Sequence, residues 1–298
     1  MKAIRVGQSI EYRRRVTQED FERFALLSGD NNPIHVDVEF SARTRFGKPV
    51  AHGAFLFGLI SSLLGTKLPG PGTILLYQEL MFPTPTYAGE EVTVQGEVTS
   101  VDWEKNLAEL TTLVIRPNGE IGCQGQAVVY FGPLEMWPKA PEREISSAYC
   151  SEGHTLKGFQ LGESASLKRT FSPENVREYI ALTGDANPLY TDGEIAIKMR
   201  LPKTPLPAPL IGALFSCLLG TRLPGWGTNY LKQRFLFFEP AYPGEELTAK
   251  VEIVRLRPEK ELINLRTTCL NPEGKPICDG EALVLVRDVE ARRTSCPK

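Results

Sequence analysis

The chain has 298 residues, 42% of them hydrophobic and 23% charged, with a formal net charge of −2. At about 100–200 residues per domain this length suits two domains, and the near balance of charge gives no reason to expect a nucleic-acid partner. No run approaches the ~18 uninterrupted apolar residues of a membrane helix, and charges break up the N-terminus too often for a signal peptide, so no membrane partner and a cytoplasmic setting are expected.

In chain order, a short strand is expected near residues 9–16. Thr17 then caps a helix that runs to about Ser28. Gly29 and Pro33 end it. A short helix is expected over 38–44, and an apolar helix from about Gly53 to Leu64, stopping at Gly65. Four strands fit residues 73–82, 91–101, 107–115 and 121–131, with Asn118-Gly119 as a hairpin signal before the last. One long apolar helix beside an antiparallel sheet is an α+β pattern. A helix with so few charges should be wrapped by the sheet rather than lie on the surface.

The pattern then repeats. Residues 61–73 read SSLLGTKLPGPGT and residues 216–228 read SCLLGTRLPGWGT, an offset of 155. The same offset links Asp30, Asn32 and Pro33 to Asp185, Asn187 and Pro188. The period is too long for a solenoid unit, so each copy should be a domain with its own core. The expected division is 1–134, a proline- and serine-rich linker over 135–155, and 156–298. The six cysteines form no C-x-x-C pair and have no histidine at metal-ligand spacing, so free structural thiols are expected.

Residues 28–35 read S-G-D-N-N-P-I-H, and residues 46–53 read F-G-K-P-V-A-H-G. Asp30 follows the end of a helix, whose dipole should make it more basic. Pro33 turns the chain and can bring His35 back towards Asp30. A carboxylate and an imidazole around one water can take one of its protons and return a proton elsewhere. Gly53 lies at a helix start, where a backbone N–H suits a developing oxyanion. Each element also has a plain structural reading: a Gly-Asp-Asn-Asn-Pro turn, a polar His52 at a helix start, and Ser61 and Ser62 as helix residues packed near the sheet. Comparison of the copies weighs against the plain reading for His35. His35 is matched by Tyr190, His52 by Pro207 and Gly53 by Ala208, while Asp185, Asn187 and Pro188 persist. The third histidine, His154, falls in the linker.

Both blocks resemble the signature of the MaoC-like (R)-specific enoyl-CoA hydratases, with Ser28, Gly29, Asp30, Asn32, Pro33, Ile34, His35 and Ser41 in the first and the F-G-x-P-V-A-H-G run in the second. The resemblance implies two tandem hot-dog domains, each an antiparallel sheet around a central helix, paired as a pseudo-dimer. It resembles the two-domain hydratases of peroxisomal multifunctional enzymes with the intact half first. It implies reversible addition of water to an enoyl thioester, with Asp30, His35 and Gly53 as the catalytic set. Asn32, His52 and Ser62 are the expected substrate-binding residues, and Arg43, Arg45 and Lys48 are candidates for meeting phosphates. No cofactor and no metal are expected. The partner is an acyl-CoA or acyl-carrier-protein thioester, and a further homodimer is left open. The rival readings are a 3-hydroxyacyl-carrier-protein dehydratase and a non-catalytic thioester-binding module.

Overall fold

The computed structural model describes residues 4–143 and 155–290. The centre of the expected linker, with Cys150 and His154, lies outside the described residues, as does Cys296. In the first half, strand β1 (Ser9–Arg15) leads to helix α1 (Gln18–Ser28). The Thr17 hydroxyl accepts from the Asp20 N–H, and the Asp20 carboxylate accepts from the Thr17 N–H, a reciprocal cap that starts α1. Gly29, in the left-handed region at φ 78°, ends it. Two short helices follow, α2 (Pro33–Val36) and α3 (Val38–Ala42), started by the side chains of Asn32 and Asp37. The four-residue α2 is too short for any periodicity to announce it.

Helix α4 (Gly53–Thr66) is the axis of this half, and every residue from Ala54 to Gly65 is buried. It carries no charge and has apolar residues on all sides, so only a position inside the fold suits it. It passes the expected stop at Gly65 and ends after Thr66. Gly65 serves a close approach instead: a Cβ there would fall 2.8 Å from the Asn187 side chain. Strands β2 (Ile74–Met81), β3 (Glu91–Asp102), β4 (Leu107–Ile115) and β5 (Ile121–Tyr130) wrap α4. Buried residues alternate along β4, so one face of the sheet meets the helix.

The second half repeats the plan with β6 (Ser164–Thr170), α5 (Pro173–Thr183), α6 (Pro188–Thr191), α7 (Gly193–Lys198), α8 (Ala208–Thr221), β7 (Asn229–Phe237), β8 (Glu246–Arg257), β9 (Leu262–Leu270) and β10 (Pro276–Leu285). The ten strands form one antiparallel sheet in the order β1-β3-β4-β5-β2-β7-β10-β9-β8-β6. The halves join where β2 pairs with β7, from Tyr77 opposite Leu236 to Met81 opposite Lys232. This is the expected α+β pseudo-dimer: two helix-in-sheet units back to back, sharing one sheet. Inside the seam α4 packs on α8, and Phe57 stacks on Phe235 at 5.3 Å between ring centroids. Phe57 is fully buried, so truncation to alanine should cost about 3–5 kcal/mol. No helix among the described residues is long and apolar enough to cross a membrane.

Candidate active site

The loop between α1 and α2 carries Asp30. Asp30 is 1% exposed. One oxygen accepts from the Asn32 N–H at 3.3 Å, and the other accepts from the Ser216 hydroxyl at 2.6 Å. Burial pushes its pKa up to about 7, against the opposing pull of those two hydrogen bonds. The upward shift matches the sequence expectation, but its leading cause is desolvation.

His35 lies on α2, turned back as expected. Its Nδ1 is 2.8 Å from the Val50 carbonyl oxygen. A carbonyl can only accept, so Nδ1 carries the proton and Nε2 keeps the lone pair. Burial lowers the imidazole's pKa to about 4, so His35 is neutral at physiological pH. Ligand atoms of Asp30, His35 and His52 all lie within 4.8 Å of one another. Among the described residues this is the one such group that could share a cation.

Asp30, His35 and Gly53 line one cavity of about 80 Å³. Gly53 is the first residue of α4, so its N–H has no acceptor within the helix. A Cβ at Gly53 would fall 2.6 Å from the Phe82 ring, so glycine also lets that wall close in. Arg45 stands among the lining residues and is exposed. Arg43 and Lys48 do not line the cavity, and the Lys48 ammonium sits over the Tyr87 ring at 4.3 Å.

The expected substrate-binding residues part company. Asn32 lines the cavity, and besides capping α2 its side chain binds the other half: its Nδ2 donates to the Thr228 carbonyl at 3.3 Å, and its Oδ1 accepts from the Gly227 N–H at 3.2 Å. His52 is fully buried behind the wall, and its Nε2 donates to the Asp30 carbonyl at 3.0 Å. Ser62 does not line this cavity. It sits 3.6 Å from where a Cβ on Gly184 would lie, on the side of the second half's loop, because α4 turns that face towards α5.

The second half also lines the cavity, through Ser216, Leu219 and Gly220 of α8 and Thr228, Tyr230 and Leu231 around β7. Sequence reasoning within one copy could not find them. Ser216 stands 186 positions from the carboxylate it holds. The signal was the repeat itself, since Ser61 and Ser216 are equivalent and Ser61 holds Asp185 in the same way, at 2.7 Å. Each copy thus lends a serine to the other's aspartate. The surroundings of the second aspartate differ. Tyr190 stands in the histidine position, with burial holding its phenol well above its ordinary pKa. Tyr179 donates to Asp185 at 2.9 Å, and the cavity beside Tyr190 and Ala208 is only about 20 Å³.

A family model described as MaoC like domain matches residues 2–117 and again 159–272. The chain is 41% identical over 128 residues to an (R)-specific enoyl-CoA hydratase of Aeromonas caviae, covering 43% of this chain and 96% of that protein. It is 38% identical over 126 residues to a 3-hydroxybutyryl-CoA dehydratase of Methylorubrum extorquens, covering 42% of this chain and 80% of the relative. In fold it is similar to a Mycobacterium tuberculosis protein described as a double hotdog, with a TM-score of 0.70 and 14% identity over 95% of this chain and 96% of the other.

Proposed function

The chain belongs to the MaoC-like domain family, and from that premise we propose that it is an (R)-specific enoyl-CoA hydratase and, in reverse, a 3-hydroxyacyl-CoA dehydratase. The observation that carries the reading is the meeting, in one cavity, of a carboxyl with a raised pKa, an imidazole with a lowered one, and the free first N–H of α4. Two titratable groups pushed in opposite directions divide the roles between them. Neutral His35 takes a proton from water through Nε2, and the hydroxyl adds to the β-carbon of the enoyl thioester. Electron density moves onto the thioester oxygen, where the Gly53 N–H stabilises it. Protonated Asp30 delivers a proton to the α-carbon, and the proton left on His35 returns to the carboxylate through the next water. The dehydratase direction runs the same steps backwards.

In this reading residues 1–134 form the catalytic unit and residues 156–298 its structural half. The substrate is an acyl thioester carried by CoA, with Arg45 at the rim to meet its phosphates. The free thiols of Cys123, Cys217, Cys269 and Cys278 suit a reducing compartment such as the cytoplasm. The test is loss of enoyl absorbance from crotonyl-CoA, with chiral analysis of the 3-hydroxyacyl product. Wild type should be active and give the (R) product, and His35→Ala should lose about 10²–10⁴-fold in rate. Activity that survives Asp30→Ala but not Asp185→Ala would move the reaction to the other half. Comparing one acyl group on CoA and on acyl-carrier protein decides the carrier.

A further inference from the structure

His52 stands where three parts of the site meet. Its ring is fully buried and does not line the cavity. Its Nε2 donates to the backbone carbonyl of Asp30 at 3.0 Å. One ring contact is a stack on His35, with centroids 3.7 Å apart and planes 26° apart. The Phe24 ring packs at 5.1 Å. His52 is also the residue before Gly53, in extended conformation at the start of α4, where it makes no side-chain cap of its own helix. The side chain is directed away from its helix, onto the loop of one reacting group and the ring of the other.

We propose that His52 is a positioning residue for the hydration: it makes no contact with substrate, but holds the Asp30 main chain and the plane of the His35 ring in register with the Gly53 N–H. The second half supports this by what it changed together. Phe24, His35 and His52 correspond to Tyr179, Tyr190 and Pro207. Where the reacting histidine is gone, its stacked partner is gone too. The aspartate is then held by a phenol on its carboxylate, from Tyr179, with no side-chain donor at the Pro207 position for the aspartate's carbonyl. A histidine kept only to start the helix would have no reason to vary with its neighbour across the loop. α8 begins at the same position without one.

The proposal rests on the hydratase reading, and the test separates the two. Crotonyl-CoA hydration is measured for wild type, His35→Ala, His52→Phe, His52→Gln and His52→Asn, with the folded fraction of each taken from its thermal melt. His52→Phe keeps a ring against His35 and Phe24 but cannot donate to Asp30. Its kcat should fall about 100-fold, the scale of an ångström-sized misplacement, with KM nearly unchanged. His52→Gln, whose Nε2 can reach the Asp30 carbonyl, should recover most of that loss. If the Phe variant does not fold, the amides decide: Asn is too short to reach, so it should fall in kcat while Gln does not. An inactive wild type overturns the hydratase reading. An active wild type overturns the positioning role if His52→Phe keeps wild-type kcat, if KM rises while kcat holds, or if Gln and Asn behave alike.

Discussion

Asp30 and Asp185 begin as the same residue in the same turn, and small differences around them separate their surroundings. Asp30 is held at about 7 and His35 at about 4, so between those values the pair has one proton on the carboxyl and none on the imidazole, the form the proposed reaction requires. Lowering the pH through about 4 protonates His35 and removes the base. Raising it through about 7 ionises Asp30 and removes the acid. The pH profile of kcat/KM for hydration should therefore be a bell bounded near those values. The Ser216 hydroxyl favours the ionised form of Asp30, so Ser216→Ala should move the alkaline limb upward while lowering the plateau. The equivalents Phe24 and Tyr179 differ by one hydroxyl, and that of Tyr179 occupies Asp185. Phe24→Tyr would place a phenol beside Asp30, and its kcat should fall with little change in thermal stability.

At the scale of elements, the central helices matter as much for where they end as for what they bury. A Cβ at Gly220 on α8 would lie 2.6 Å from an Asp30 carboxylate oxygen and 2.9 Å from the Asn32 Cβ. One at Gly65 on α4 would strike Asn187 in the same manner. Both helices run to the close approach because glycine leaves room for the opposite loop. Gly65→Ala and Gly220→Ala should both lower the melting temperature, but only Gly220→Ala should cut kcat, by about 100-fold if the loop shifts by an ångström. The contrast shows what a sequence can reveal. Asp30, His35 and Gly53 were legible because a turn, a proline and a helix start are local events. α2 was not, being four residues long. Ser216, Gly220 and Tyr230 were not, because they reach the cavity only once the two halves join through β2 and β7. The stop assigned to Gly65 read as a boundary what is a contact between copies.

At the scale of the whole molecule, the second half keeps a buried carboxyl to which the proposed reaction gives no part. Asp185 is buried, one of its oxygens has no hydrogen-bond partner, and burial raises its pKa to about 6. Its folded-state value lies above that of an unfolded carboxyl, so the native state binds more protons across the interval between them. Stability contributed at low pH is therefore lost as pH rises from about 4 to about 6, at about 3 kcal/mol for a shift of some two units. Asp185→Asn should melt higher than wild type at about pH 8, the gain should vanish near pH 4, and hydration should be unaffected. A melt that does not change with the substitution would mean the carboxyl is solvated or proton-bound throughout.

The exchange of serines and asparagines across the seam also shapes how such a chain can vary over generations. On the proposed assignment the second copy carries no reaction of its own, yet its Ser216, Gly220 and Thr228 line its neighbour's cavity or hold the residues in it. Selection should therefore divide that copy in two: strict along the side that meets Asp30, and relaxed around Tyr190 and Ala208. In a saturation mutagenesis screen for growth that depends on hydration of a supplied enoyl substrate, intolerant positions of the second half should trace the outline of the first half's proposed site, so that inheritance would preserve the second copy as a mould of the first.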